Sequence, residues 1–401
     1  MSDKQNKILF LSAWYPNRED PMFGLFVKRH AMAAALYEKV AVLYICHSNK
    51  MSNKSYEIEI NHTTNGQLLE VIIYYKSHSN KFTKKLKPII NNFRYIKAFI
   101  KGWKLIKINF GEPNLIHVNI LTRTAIIALY FKIIHNIPYI ITEHWSRYLP
   151  SVNTYKGIIR QFFTKLTVKQ AKALLVVSDN LRKAMANHNI INKNTFIINN
   201  VVDTNIFVPK PAEKENGISY RLIHISCFED KSKNISGMLR ALKRLTNIRQ
   251  DFVLHLIGEG QDKLYIKNLA EKLDLKDKYI KFDGLMINPQ TVAEAIGKSH
   301  ILILFSNYEN IPVVINEAFS CGKPVVATKV GGINEIVTPN CGILVEPNDE
   351  QDFALAIDKM LNNLDKYDPQ NIRQKIINKY SMESVGYELY TLYKNILNNK
   401  I

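Results

Sequence analysis

Acidic residues are scarce in the first half of this 401-residue chain. Residues 1–208 hold 11 Asp and Glu against 29 Lys and Arg, whereas residues 209–401 hold 24 against 25. The net charge of +19 therefore belongs almost wholly to the N-terminal half, where it predicts an anionic partner: a membrane surface, nucleic acid or a phosphorylated substrate. Cysteine is scarce as well. Cys46, Cys227, Cys321 and Cys341 stand far apart and form no C-x-x-C, which excludes a zinc module and predicts reduced, buried thiols. No D-x-D pair occurs, which argues against a divalent metal held by such a pair. Long apolar runs are missing too: the longest, Ala125–Thr142, is broken by Lys132, His135, Asn136 and Pro138 and cannot be a membrane span. A short polar lead runs straight into Ile8–Leu11 with no signal-peptide pattern, so a cytoplasmic protein is expected. No helix-turn-helix, zinc-finger or aromatic RNA-binding signature is present, so nucleic acid is not the expected partner.

The chain is rich in short apolar runs separated by helical patterns. In the first half the runs are Lys7–Ser12, Val40–Cys46, Leu69–Tyr75, Leu115–Val118, Tyr139–Thr142, Leu174–Ser178 and Phe196–Val202. In the second they are Leu222–Ser226, Phe252–Gly258, Tyr279–Phe282, Ile301–Phe305, Pro324–Thr328 and Ile343–Val345. Continuous Ile/Val/Leu runs, unlike alternating ones, mark strands buried on both faces of a parallel sheet. The alternation with helices predicts an α/β protein of two doubly wound, Rossmann-like domains. Their join is expected at the proline- and charge-rich Val208–Gly217, giving domains of 1–208 and 209–380. The aromatic stripe of the last helix, about Ser381–Leu397, is expected to cross back onto the first domain.

The segment ILILFSNYENIPVVINEAFSCGKPVVATKVGGINEIV reads as strand, loop, helix, strand and a Gly-Gly turn opening another helix. Loops at the carboxyl ends of parallel strands are where such folds bind ligands. Asn310-Ile311-Pro312 leads into a helix whose first N–H groups are free and suit a phosphate. Glu309, in the loop, can hydrogen-bond sugar hydroxyls, and Glu317, set back in the helix, can hold a ribose diol. Read singly, Glu309 is a helix cap and Glu317 part of a solvated face; the length of the whole pattern argues against both.

S-x-x-E-x-x-P-x-x-x-x-E-A-x-x-x-G-x-P-V-V-A-T-x-x-G-G-x-x-E closely resembles the donor-binding signature of the retaining glycosyltransferases of family 4, also called glycosyl transferases group 1. The resemblance extends along the chain: KILFLSAWYPNREDPMFGLFVKRHAMAAAL carries Gly24 at the family's glycine position, with Phe23 where a second glycine is usual. IINNVVDTNIF has Val201 where a glycine is usual, and LIGEGQDK, IKFDGL (ending at Leu285) and CGILVEPND fall in the expected places. It implies the GT-B fold, two domains facing a central cleft, and transfer of a hexose-type unit from a nucleotide diphosphate with retention. Gly24, Leu285, Asn310, Ile311, Pro312 and Glu317 would hold the donor, with Glu309 and His144, after PYIITEH, facing its sugar. An arginine and a lysine would steady the diphosphate without metal or other cofactor; Lys233 matches the lysine, Cys227 stands at the arginine position, and Lys231 is a candidate replacement. Glu143 is either the partner of His144 or merely solvated. Attack on the same face, with the diphosphate assisting deprotonation of the acceptor, is the implied chemistry. Cys227 and Val201 motivate a second reading, a catalytically silent partner of another transferase; a sugar-nucleotide epimerase is a third.

From Lys76 to Lys107 the chain has ten Lys or Arg and no acid, interleaved with Phe82, Leu86, Ile90, Phe93, Ile96, Phe99, Ile100 and Trp103. Tyr155–Lys172 is similar. Basic amphipathic helices suit an anionic membrane surface. A peripheral enzyme at the inner face of the plasma membrane is expected, acting on a lipid-linked or growing glycan.

Overall fold

The computed structural model describes residues 5–48, 50–51, 54–63, 66–77, 86–121, 123–214 and 217–401. The first sheet comprises β1 (Lys7–Ser12), β2 (Lys39–Ser48), β3 (Tyr56–Thr63), β4 (Leu68–Lys76), β5 (Leu115–Asn119), β6 (Tyr139–Glu143), β7 (Leu174–Val176) and β8 (Thr195–Ile197). Their order is β3-β4-β2-β1-β5-β6-β7-β8. The second comprises β9 (Tyr220–Ile225), β10 (Phe252–Ile257), β11 (Ile280–Gly284), β12 (Ile301–Leu304), β13 (Val325–Thr328) and β14 (Gly342–Val345), in the order β11-β10-β9-β12-β13-β14. Among the described residues only the β3–β4 pair is antiparallel; the other pairings of these strands are parallel.

The apolar runs are what makes this arrangement stable. In β1, Leu9 and Leu11 enter the core on one face of the sheet, and Ile8 and Phe10 the core on the other. The second sheet is likewise packed on both faces. Strand order reverses between β1 and β5 and between β9 and β12, and ligand crevices form at the carboxyl side of such switch points.

β3 was not among the expected strands. Its Y-E-I-E-I alternation has the period of a strand, but Ile58 and Ile60 are exposed on this edge and the segment has no continuous apolar run. β8 ends at Ile197, so the rest of the apolar run to Val202 is crossover, not strand. Val201 packs in the core of the first sheet and Val202 in that of the second, so the chain changes cores six residues before the proline-rich segment.

The last helix, Met382–Leu397, crosses back as its stripe requires. Val385, Leu389, Tyr393 and Ile396 are buried with Phe10, Val27 and Ala31, and His117 Nδ1 lies 2.7 Å from the Tyr393 hydroxyl. The two crossings run side by side: Val202 N donates to Tyr380 O at 2.8 Å, and Val202 bridges Ser381. Among the described residues no helix is long and apolar enough to cross a membrane.

Candidate active site between the two sheets

After β9 a single helical turn, Asp230–Lys233, is tied in place by Asp230. Its carboxylate accepts from Ser236 N and Ser236 Oγ, both at 2.7 Å, and its N–H donates to Asp262 Oδ2, also at 2.7 Å. Asn234 then takes a left-handed conformation (φ 46°) and caps the next helix by accepting from Gly237 N. This turn aims Lys233 at the loop after β12. Its ammonium lies 2.5 Å from Glu309 Oε1, which also accepts from Ser306 Oγ at 2.9 Å. Burial works against the charge on Lys233, but the Glu309 carboxylate outweighs it and raises the lysine above its ordinary range. Two glycines support the loop from behind. Gly331 has φ 58°, and a Cβ there would meet Glu309 O at 1.8 Å, which explains the glycine in the Gly-Gly turn.

A cavity of about 580 Å³ lies beside this pair, between the two sheets. Ser226, Cys227, Leu285, Val313 and Glu317 line it from the second sheet; Leu25, Phe26 and Arg29 line it from the first. Glu317 comes from the helix Val313–Ser320, and its Oε1 pairs with Arg29 Nη2 at 2.7 Å across the cleft. Arg29 also lies over Phe207, 5.8 Å from the ring centre. Cys227, expected to be buried, is exposed on the cavity wall; desolvation raises its thiol pKa although Lys233 opposes this, and a neutral thiol cannot replace the positive charge of an arginine.

Other contacts span the cleft. Asn310 Oδ1 accepts from Ser178 Oγ at 2.7 Å, and its Nδ2 donates to His144 O at 3.1 Å. Glu335 accepts from Asp179 N and Asn180 N, at 2.9 and 2.8 Å, at the N-terminus of the helix Asp179–Asn187, where an anion is favoured. Asn200 Nδ2 donates to Ile311 O at 3.4 Å.

The expected site residues thus divide. Leu285 and Glu317 line the cavity, while Lys233 and Glu309 stand together behind Cys227. Asn310, Ile311 and Pro312 do lead into the helix at Val313, but the Asn310 amide is engaged with the first sheet. Lys231 is exposed and off the cavity wall. Gly24 caps the helix Leu25–Ala34 with φ 68°, and a Cβ there would meet Trp14 C at 2.5 Å; its glycine lets the preceding loop fold against Trp14. His144 is buried behind Phe26, 4.6 Å between ring centres, and neither ring nitrogen makes a well-formed hydrogen bond. Burial first, then His30 and His117, hold its pKa well below the usual range, so the ring is neutral at pH 7. Glu143 is neither solvated nor the partner of the imidazole. Fully buried, it accepts from the backbone N–H of Leu121, His144 and Trp145 at 3.0, 2.8 and 2.8 Å and holds the loop after β6 in shape. Burial nevertheless raises its pKa.

Arg29 is one of the cavity residues the sequence reading missed. A signal existed: with Leu25 it forms an i, i+4 pair on the helix that Gly24 opens, so both face the same way.

The glycosyl transferases group 1 family matches residues 210–379, and glycosyltransferase family 4 matches residues 30–206. Among curated relatives, N-acetyl-alpha-D-glucosaminyl L-malate synthase of Bacillus anthracis is 27% identical over 57% of this chain and 61% of its own length. An uncharacterized glycosyltransferase of Methanocaldococcus jannaschii is 28% identical over 69% of this chain and 74% of its own. The aligned part of this chain thus spans under two thirds of the Bacillus relative. Sucrose-phosphate synthase of Thermosynechococcus elongatus superimposes with a TM-score of 0.75 over 98% of this chain and 100% of that one, at 18% identity. Anabaena HepE, solved with UDP, does so with a TM-score of 0.68 over 97% and 100%, at 17% identity. Two matched families in sequence and one shared architecture place the chain in glycosyltransferase family 4, the group 1 glycosyl transferases, on the GT-B fold.

Proposed function

We propose that the protein transfers a sugar from a nucleotide diphosphate donor to a lipid-linked or growing glycan, with retention of configuration and without a metal ion. The observation that carries this reading is the cavity between the sheets, with Glu317 on its wall and the Lys233–Glu309 pair beside it. Glu317 would accept hydroxyls of the donor ribose, and Leu285 would pack on the base. The leaving diphosphate needs fixed positive charge, and Lys233, paired with Glu309 beside the cavity, would supply it. Glu309 would then hold sugar hydroxyls, and the neutral His144 would close the sugar end behind Phe26. The second sheet would take the donor and the first the acceptor. The second reading, a silent partner subunit, rests on Cys227 at the cavity wall.

A thermal-shift panel of nucleoside diphosphates and their sugars tests the donor half. A true donor at about 100 times its Kd should stabilise the fold by about 2.7 kcal/mol, a shift of a few degrees. No shift with any nucleotide would sink the reading. Hydrolysis or transfer of the preferred donor excludes the silent partner, and unchanged turnover in excess chelator supports the metal-free route.

The membrane half rests on three neighbouring helices of the first sheet, Lys87–Asn109, Arg123–His135 and Ile158–Gln170. Together they carry eleven Lys or Arg and no acid. Their outer faces expose Ile89, Phe93, Ile96, Ile133, Ile158 and Phe162. Phe99 and Trp103, read from sequence as part of this face, pack against the core instead. Lys81, Phe82, Lys84 and Lys85 lie outside the described residues.

A further inference from the structure

The cavity between the sheets is short of positive charge. Among the described residues that line it, Arg29 is the one Lys or Arg, whereas Glu19, Asp20, Glu259 and Glu317 all bring carboxylates. The first three of these have partners other than Arg29. Glu19 accepts from Ser48 Oγ and lies 3.9 Å from Lys50, Asp20 accepts from Met22 N at 3.0 Å, and Glu259 pairs with Lys263. Glu317 pairs with Arg29 itself, at 2.7 Å. Lys233 stands off this wall with Glu309, and the Cys227 thiol on the wall is neutral.

A nucleoside diphosphate brought into such a cavity would meet like charge on most sides. The repulsion would be sharpest at Glu317, because a carboxylate that takes ribose hydroxyls stands only a few bonds from the first phosphate. Arg29 faces that point from the first sheet's side. It lies one turn after Leu25 in the helix Leu25–Ala34, and Leu25 and Phe26 line the cavity beside it. Its side chain is 9% exposed, and its guanidinium lies 5.8 Å from the centre of the Phe207 ring, so packing fixes its direction. The pair with Glu317 engages Nη2. A guanidinium carries several N–H donors in a planar fork, so one edge can stay on the carboxylate while another meets phosphate oxygens.

We propose that Arg29 contacts the diphosphate of the nucleotide sugar directly, reaching it from the first sheet while Lys233 reaches it from the second. Glu317 then serves two partners, the ribose hydroxyls and the guanidinium, and holds the fork at the height of the phosphates. The leaving group is gripped from both walls of the cleft. This rests on the transferase reading and adds to it the residue that supplies the second positive charge.

Titration calorimetry of the full chain with uridine and UDP, guanosine and GDP, and adenosine and ADP tests the assignment, each nucleoside being measured by competition with its diphosphate. For the base that binds, Arg29→Gln should weaken the diphosphate by about tenfold or more and the nucleoside by less than about threefold. Equal losses for the two would mean that Arg29 only orients Glu317 for the ribose, and no loss for either that it touches neither; both results overturn the proposal. A third possibility is that Arg29 merely screens the Glu317 charge. Glu317→Gln removes that charge, and adding Arg29→Gln to it should still cost the diphosphate about tenfold. A loss that disappears on this background overturns the proposal. The same background decides alone if Arg29→Gln by itself fails to fold with Glu317 left buried and unpaired. Failure of the transferase reading looks different: the unaltered protein would then bind none of the three diphosphates, whereas undiminished diphosphate binding by Arg29→Gln strikes only the role given to Arg29.

Discussion

Lys233 and Glu309 hold each other in a site where neither is more than partly exposed, so removing one leaves the other's charge without an answer. Two consequences can be separated. Lys233→Ala removes the cation proposed to face the diphosphate, and turnover should fall by about 10² to 10³, the loss seen for a single preorganised donor. It should also lower Tm, because Glu309 loses its partner. Adding Glu309→Gln removes the orphaned charge and should restore most of the stability but none of the turnover. Lys231→Ala, at an exposed side chain off the cavity wall, should change either quantity little. Near-normal turnover of Lys233→Ala would refute the role given to this lysine, and a large loss from Lys231→Ala would move the second charge to that residue.

Among the buried histidines, four have a pKa shifted by their surroundings: His30 on the helix Leu25–Ala34, His117 on β5, His144 after β6 and His224 on β9. Burial lowers the pKa of each, to about 4 for His224. The unfolded chain takes up these protons near pH 6.5, whereas the folded chain does so only lower. Their contribution is therefore complete above pH 6.5 and lost as pH falls through the folded values, by about 1.4 kcal/mol per pH unit for each histidine. Thermal melts should be nearly flat from pH 7 to 8 and drop steeply between about pH 6.5 and 5; a flat profile there would contradict the buried, neutral state. At this scale the sequence was readable wherever burial is symmetric. The Ile/Val/Leu runs of β1, β10 and β13 report a sheet covered on both faces, and so both sheets were foreseeable. β3 was not, because an edge strand buries too little to leave a continuous run. In the site, Glu309 and Glu317 were legible because they sit in one long linear pattern, and Lys233 and Leu285 because their short segments resemble the family's. Arg29 and the Ser178–Asn310 contact depend on how two distant segments face each other across the cleft, and no local pattern encodes that.

For the molecule as a whole, the charge separation found in the sequence becomes a geometric one. Eleven basic and no acidic side chains on three neighbouring helices belong to the first sheet, while the second half of the chain is nearly neutral. A field of one sign on one layer would orient the protein at an anionic surface, where each Lys or Arg would contribute about 1 kcal/mol. Electrostatics alone would be lost at high salt, since the Debye length is about 8 Å at 0.15 M and about 3 Å at 1 M. Exposed Ile133, Ile158, Ile159 and Phe162 would add a salt-insensitive part at such a surface, because burying them in the headgroup region would remove apolar surface from water. Co-sedimentation with phosphatidylglycerol vesicles should therefore be strong at about 0.15 M salt, weaker but measurable at about 1 M, and small with phosphatidylcholine alone. Ile158→Asp with Phe162→Asp should abolish the part that survives high salt and spare much of the rest. Loss of all binding to anionic vesicles even at low salt would refute membrane attachment, and an unaltered high-salt fraction in the double variant would move the contact away from the helix Ile158–Gln170.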